Sequence, residues 1–332
     1  MNHHENKVRA LGLCSGGLDS ILAAVVLRNQ GIAVEWITFE TPFFSAEKAR
    51  RASERFHIPL IVENITQPYL EMLRDPPCGY GQHMNPCMDC HALMFRLAGR
   101  VLEDRGMDFL FSGEVLGQRP MSQTRSSLRY VEKHSGCRQV IVRPLSARLL
   151  EETLPEKNGL VNRGLLLGLS GRSRKPQISM ARAWGIVDYP APAGGCLLTE
   201  KVYSLRLKDL FDHRTDCTEN ALHLLKYGRH IRLSADVKII VGRTLQDNTA
   251  ILSHRDPLQD MVLKTVNIPG PVVLIPSEAG NDDIRLAASI CAGYTKALDD
   301  VPVAVDAVSP EDVSSFQVIP IRPESVQSML IG

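Results

Sequence analysis

An apolar run at residues 8–14 ends in Cys14-Ser15-Gly16-Gly17-Leu18-Asp19-Ser20. A helical pattern begins at once, with Ile21, Leu22, Val25 and Val26 on one face of residues 19–29. A strand that turns through two glycines straight into a helix is the opening unit of a parallel sheet, because parallel neighbours need a crossover and not a hairpin. The alternation continues. Residues 33–39 read as a second strand, 45–56 as a second helix with Ser45 as its N-cap, 60–63 as a third strand, and 109–112 and 140–142 as further buried strands. The fold class expected is α/β, a doubly wound parallel sheet that takes ligands beyond the carboxyl ends of its strands.

Later segments are organised differently. Residues 146–200 are rich in Gly and Arg with poor periodicity, and read as a functional extension of the first domain (1–200). Helical patterns at 202–211 and 219–226 suggest a connector (201–230). From 231 to 332 the pattern is strands at 237–241, 272–275, 301–305 and 316–319 with a helix at 282–298, a smaller α+β domain. The net charge is only +1, but it is segregated: residues 119–182 hold 13 Lys and Arg against 4 Asp and Glu, whereas 277–332 hold 3 against 9. In stretches such as Gly171-Arg172-Ser173-Arg174-Lys175 the cations alternate with Gly and Ser and lack helix-spaced acids, a composition that suits a phosphate backbone. No apolar run reaches the ~18 residues of a membrane span, and residues 1–10 lack the apolar stretch of a signal peptide. A cytoplasmic location with no membrane partner is expected. Eight Cys in 332 residues are too few for a disulfide scaffold, so they are thiols, metal ligands or redox groups.

The glycine turn has its own chemistry. A strand end, a glycine turn and a helix start place several backbone N–H groups and the positive end of a helix dipole around an anion. Ser15 and Ser20 add hydroxyls, while Gly16 and Gly17 let the backbone approach closely. The segment is neither GxxxxGK[ST] nor GxGxxG. SGGLDS resembles the PP-loop of the ATP pyrophosphatase superfamily, whose members cleave ATP between its α- and β-phosphates and adenylate a substrate. The resemblance implies that Ser15, Gly16, Gly17, Asp19 and Ser20 hold pyrophosphate with Mg2+, and that the backbone near Thr38 and Phe39 receives adenine.

Ser112-Gly113-Glu114-Val115-Leu116-Gly117-Gln118, followed by Ser122-Gln123-Thr124 and Arg143-Pro144-Leu145, is similar to TGESLGQ, SQT and RPL in tRNA 4-thiouridine synthetases. Physically, Gly113 at a strand end lets the chain turn beneath a nucleotide, with Glu114 and Gln118 as polar groups at the mouth of the sheet.

Cys87-Met88-Asp89-Cys90 follows Asn85-Pro86 and opens a helical stretch at 92–102, which places two sulfurs on one side of a helix start. Cys196 follows Ala193-Gly194-Gly195. From the residues alone, zinc, a redox disulfide, an iron–sulfur cluster and structural thiols all remain open. NPCMDC is similar to the NPxxxC region of tRNA 2-thiouridylases, and a CxxC plus one later Cys is similar to the pattern of cluster-dependent tRNA thiolases. By that resemblance Cys87, Cys90 and Cys196 bind a 4Fe-4S cluster and leave one iron without a protein ligand, able to carry hydrosulfide. A persulfide carrier with a resolving thiol and no metal, and a zinc site that adds Cys78, stay open. Cys78 and Asp89 are the possible fourth ligands.

In the tail, Val237-Lys238-Ile239-Ile240-Val241-Gly242-Arg243, Asn248 and Pro269-Gly270-Pro271 faintly resemble the RNA-binding domain of ribosome quality-control proteins, over residues 231–275. A structural appendage or dimerisation module is the other reading, which leaves a homodimer open. Typical 4-thiouridine synthetases carry an amino-terminal THUMP domain, and some a carboxyl-terminal rhodanese. With seven residues before the first strand, this sequence implies other parts for RNA docking and sulfur delivery. The function implied is ATP-dependent thiolation of a tRNA uridine through an adenylated base. The 4-position of uridine 8 is favoured over the 2-position of the wobble uridine, with sulfide or a sulfur-donor protein as the source. A ligase or sulfurtransferase acting on a small molecule, and a non-catalytic RNA-binding adaptor, are the readings from other classes.

Overall fold

The computed structural model describes residues 7–190, 195–215, 217–310 and 312–332. The chain forms two compact units, Met1–Cys196 and Leu197–Gly332. In the first, β1 (Arg9–Leu13), β2 (Ala33–Glu40), β3 (Leu60–Asn64), β4 (Phe109–Ser112) and β5 (Ile141–Val142) pair in parallel in the order β3-β2-β1-β4-β5. The order reverses beside β1, so the ends of β1 and β4 form the crevice where such sheets take ligands. Helix α1 (Leu18–Arg28) is buried on most sides, from Leu18 through Leu27, and so carries almost no charge. Helix α2 (Glu47–Phe56) buries only Ala49 and Ala52, whose small side chains let a polar helix lie close to the sheet. Its N-cap is Ala46, without a side-chain hydrogen bond, and not Ser45 as expected.

In the first unit α3 (Thr66–Arg74), α5 (Arg125–Ser135), the single turn α6 (Leu154–Lys157) and α7 (Lys175–Ala183) were not anticipated from periodicity, whereas α4 (Cys87–Asp104) contains the helical stretch expected at 92–102. The basic middle is also more than an extension, since Val161, Leu166, Ala181 and Ile186 join the core of the first unit with Leu22, Trp36 and Phe111. Leu167 N–H donates to the Pro144 carbonyl (2.9 Å), Leu169 N–H to that of Leu145 (2.8 Å) and Gly171 N–H to that of Leu116 (2.8 Å), so backbone bonds carry this segment back toward the sheet. Its apolar residues come in short clusters such as Leu165-Leu166-Leu167, broken by Gly, Asn and Arg, so they follow neither a helical nor a strand period.

The second unit begins with α8 (Lys201–His213) and α9 (Glu219–Leu224). Residues 201–230 are therefore not a separate connector: Leu207, Leu210 and Leu222 are buried within this unit. Strands β6 (Arg229–Arg232), β7 (Lys238–Val241), β8 (Asp260–Thr265), β9 (Val273–Pro276), β10 (Val303–Val308) and β11 (Val313–Val318) form an antiparallel sheet in the order β11-β10-β8-β9-β7-β6. Alternation assigns its faces. Ile239, Val241, Leu263 and Val273 pack with α11 (Asn281–Gly293), while Ile240, Val262 and Leu274 pack with Leu224 and with Ile251 of α10 (Leu245–His254). β6 escapes a pattern reading because its sequence, RHIR, shows one apolar residue. Among the described residues no helix is long and apolar enough to cross a membrane.

Buried Arg206 of α8 donates to the carbonyls of Leu225 (2.9 Å) and Gly228 (3.0 Å). Arg206→Met keeps the apolar stem and removes both donors. With two buried carbonyls unpaired, the urea midpoint followed by circular dichroism is expected to fall by the equivalent of about 2–4 kcal/mol.

Candidate functional site

The loop between β1 and α1 is held by its own short-range bonds. Gly16 N–H donates to Cys14 Sγ (3.3 Å), Gly17 N–H to Ser15 Oγ (3.4 Å), and Ser20 Oγ–H to the Gly17 carbonyl (2.7 Å). Burial pushes the Cys14 thiol up to about 11, so it acts here as a small packing group. Gly16 has φ +70°, and a Cβ there would stand 2.2 Å from the carbonyl carbon of Lys48, in the first turn of α2. A Cβ at Gly113 would stand 2.4–2.5 Å from backbone atoms of Asp19 and Ser20. These glycines are needed so that α2 and the end of β4 can press against the loop. Gly17 differs: with φ −82° a Cβ would meet only Ser15 Oγ, at 3.4 Å, so nothing in the protein accounts for the missing side chain. The first intrahelical bond is from Ile21 N–H to the Gly17 carbonyl, so the first-turn amides of α1 face outward. The rim of the loop is thus kept clear at Gly17, with unpaired helix-start N–H groups beside it of the kind an anion accepts.

Asp19 leads a chain of polar side chains. Gln118 Nε2 donates to Asp19 Oδ2 (2.7 Å), and Gln177 Nε2 donates to Gln118 Oε1 (2.8 Å). An Arg174 guanidinium nitrogen lies 3.8 Å from the same Asp19 oxygen. Asp19 and Gln118 were expected at the site from their motifs. Arg174 and Gln177 were not, because their segment read as an RNA-facing run.

Glu114, two residues past the carboxyl end of β4, is 6% exposed and engaged by protein groups. Arg143 Nε donates to its Oε2 (2.9 Å), Ser112 Oγ–H donates to the same oxygen (3.0 Å), and His91 Nδ1 lies 3.0 Å from Oε1. Arg143 also pairs with Glu132. Burial alone would push this carboxyl up, but Arg143 and His91 outweigh it and hold it at about 2. The other shared motifs are likewise internal: Thr124 caps α5 by accepting from Ser127 N–H (3.1 Å), and Gln123 Oε1 accepts from Arg119 N–H (3.2 Å). Thr38 and Phe39 are buried in β2, registered with Val62 and Glu63. β1 ends opposite Ile37, so ladder alternation turns the Phe39 backbone toward the side that β1 has left.

The thiols gather around α4. Cys87 is its first residue, and Asn85 Nδ2 donates to its Sγ (3.2 Å). Cys90, one turn on, hydrogen-bonds the hydroxyl of fully buried Tyr69. Burial first, then the neighbouring Cys196 and Cys87, push the Cys90 thiol well up, which places all three sulfurs within electrostatic reach. Asp89 faces the other way. Cys78 N–H donates to its Oδ2 (2.9 Å) and Tyr130 O–H to its Oδ1 (2.7 Å), so the carboxylate fastens the 76–85 loop to α5. Ala193 and Gly194, expected to help Cys196 approach, lie outside the described residues. A Cβ at Gly195 would stand 4.0 Å from the Lys48 ammonium, so Lys48, whose backbone backs Gly16, reaches with its side chain to the residue before Cys196. Sequence reasoning missed Lys48, Tyr69 and His91. Among the described residues no three His, Cys, Asp or Glu stand close enough to grip a single metal ion.

In the second unit the rings of His223 and His254 stack at 4.7 Å and those of Tyr227 and His254 at 6.0 Å, all half-buried, with Lys226 Nζ 2.9 Å from His223 Nδ1. Stacked flat rings beside a cation are what an unpaired base accepts.

Comparison with known proteins divides the chain along the same lines. Residues 6–152 match the family model described as thiamine biosynthesis protein (ThiI), and residues 228–330 match that described as NFACT protein RNA binding domain. A probable tRNA sulfurtransferase of Thermotoga maritima is 31% identical over 149 residues, 42% of this chain and 36% of that protein. One of Oceanobacillus iheyensis is 27% identical over 155 residues, 44% of this chain and 37% of that protein. The chain thus spans little more than a third of the length of these relatives. Among solved structures, a 4-thiouridine synthetase–RNA complex with bound ATP has a TM-score of 0.38 and 22% identity, covering 54% of this chain and 41% of that one. The match to the ThiI model takes in the SGGLDS, GEVLGQ, SQT and RPL segments and ends at residue 152.

Glu114→Gln keeps the shape and removes the charge, leaving buried Arg143 with Glu132 alone. The urea midpoint is expected to fall by the equivalent of about 3 kcal/mol. In the wild type this carboxyl titrates near 4.5 when unfolded and about 2 when folded. Its contribution is therefore complete above pH 4.5 and is lost as pH falls through 2, a loss the variant will not show.

Proposed function

We propose that this chain thiolates a uridine of tRNA in the cytoplasm, activating the base with ATP and supplying sulfur at the cysteines of the first unit. The observation that carries the reading is the first turn of α2, where Lys48 lies against Gly16 of the phosphate loop and near Gly195, next to Cys196. An activated base and a sulfur carrier must lie close together, since an adenylate that meets water before sulfur is hydrolysed. The RNA-binding model matched by residues 228–330 and the ring stack of His223, His254 and Tyr227 support tRNA as the substrate.

The phosphates of ATP are assigned to the first-turn amides of α1 and to Ser15, Gly16, Gly17 and Ser20, with adenine against the Thr38 and Phe39 backbone and Gly113 as the floor. Asp19, whose Oδ1 is buried and unpaired, suits Mg2+. The uracil O4 attacks the α-phosphorus, the bond from that phosphorus to the β-phosphate oxygen breaks, pyrophosphate leaves with the electron pair, and N3 releases its proton. Hydrosulfide then adds at C4, AMP leaves with the electrons of the C4–O bond, and the sulfur proton passes to N3 to leave C4=S. Gln118 holds Asp19, while Glu114 holds His91 beside Cys90 and so acts on the site only through packing.

Three thiols, with the Asp89 carboxylate held by Cys78 N–H and Tyr130, fit a 4Fe-4S cluster in kind. Zinc needs donors about 4 Å apart, around one ion at ~2.3 Å. A cluster spaces its thiolates more widely because each meets a different iron. Bound by Cys87, Cys90 and Cys196, a cluster would supply an iron open to sulfide. The 4-position of uridine 8 is the target favoured by the GEVLGQ, SQT and RPL match.

Iron, sulfide and zinc are to be measured on anaerobically purified wild type and on Cys87→Ala, Cys90→Ala and Cys196→Ala. About four iron and four sulfide per chain, lost in each variant, is the expected result. No iron in a folded wild type moves the sulfur to a persulfide, and one tightly held zinc removes the sulfur chemistry. Asp19→Ala is expected to abolish tRNA-dependent pyrophosphate release while tRNA binding in a gel-shift assay persists. Undiminished release would overturn the loop assignment, and release without tRNA would point to a small-molecule substrate.

A further inference from the structure

We infer that Arg174 and Gln177, at the start of α7, complete the phosphate site, so that Arg174 takes the β- and γ-phosphates of ATP and holds Asp19 in the absence of nucleotide. The inference rests on the ATP-dependent reading above and adds residues that no motif of the chain announces.

The observation is a set of unsatisfied polar atoms. Asp19 Oδ1, Arg174 Nε and Gln177 Oε1 are all buried without a hydrogen-bond partner, although buried polar atoms in folded proteins are nearly always paired. The three residues are linked through Gln118 and the Asp19–Arg174 pair, so the unpaired atoms belong to one cluster. Gln177 is 1% exposed and its amide is already anchored on Gln118, so its remaining oxygen cannot turn to bulk water. At 3.8 Å the Arg174–Asp19 contact is an ion pair without a good hydrogen bond, which leaves the guanidinium only loosely committed.

The unpaired atoms describe a ligand. A carboxylate oxygen calls for a cation, a guanidinium N–H for an anion, and an amide oxygen for a hydroxyl or a metal-bound water. A phosphate chain carrying a divalent cation offers all three. The planar guanidinium can meet two phosphate oxygens at once, which a lysine cannot. As the bond between the α-phosphorus and the bridging oxygen breaks, the electron pair goes to the departing pyrophosphate, and a fixed guanidinium beside it offsets that charge. The placement is built in, because Ser170 bridges Leu116 and Gly171 N–H donates to the Leu116 carbonyl, two residues from Gln118.

Calorimetric titration with Mg-ATP and with AMP tests the assignment on wild type, Arg174→Ala, Arg174→Lys and Gln177→Ala. AMP lacks the β- and γ-phosphates and reports whether the rest of the site is intact. The expected result is a loss of ATP affinity of about tenfold or more in Arg174→Ala, AMP affinity unchanged, partial recovery in Arg174→Lys and a smaller ATP-specific loss in Gln177→Ala. An Arg174→Ala protein that binds ATP like the wild type, or that loses ATP and AMP equally, overturns the assignment and leaves the ATP-dependent reading in place. A wild type that binds no ATP overturns that reading as well.

Discussion

The ion pair of Glu114 with Arg143 is the interaction on which the first unit depends. Both charges are almost wholly out of water, a costly arrangement unless every remaining lone pair and proton is met. Here Ser112, His91 and Glu132 meet most of them, while Arg143 Nη2 stays buried without a partner. One cluster thus ties the end of β4 to the residue after β5, to the first turns of α4 and to α5. Gly113, pressed on the loop, precedes Glu114 directly, and Cys90 precedes its partner His91. The floor of the phosphate loop and the thiol-bearing helix are therefore held by the same pair, and neither can shift without straining it.

Around that anchor the site is assembled from two kinds of group. The lining of the loop is backbone: amides of the first turn of α1, brought forward by close packing at Gly16 and Gly113. Side chains then gather in two groups, Asp19, Gln118, Gln177 and Arg174 beside the loop and Cys87, Cys90 and Cys196 around α4. Lys48 borders both. Backbone amides at a helix start are fixed by the fold and need no reorganisation to meet an anion.

Much of this was legible in residues 8–63, 109–142 and 237–319. Strand-helix alternation, the SGGLDS turn and the CxxC at a helix start are local patterns, and the strands of the parallel sheet fell within a residue or two of where apolar runs placed them. Ser45 failed as a cap because Ala46 already takes helical backbone angles. The helix expected at 282–298 stops at Gly293, and β6 and β8 were invisible because strand pairing, not hydrophobicity, makes them strands.

The sequence by itself determined the sheet, the loop at its centre and the pair of sulfurs at the start of α4, since each depends on neighbours a few residues apart. Only the tertiary structure decided what the polar groups do. Glu114, in the most family-like motif, became a buried counter-ion because Arg143 and His91 surround it. Arg174, in the most RNA-like run, turned onto Asp19 because backbone bonds from Gly171 to Leu116 carry it there. A charge in a sequence has no address until the fold supplies its counter-charge.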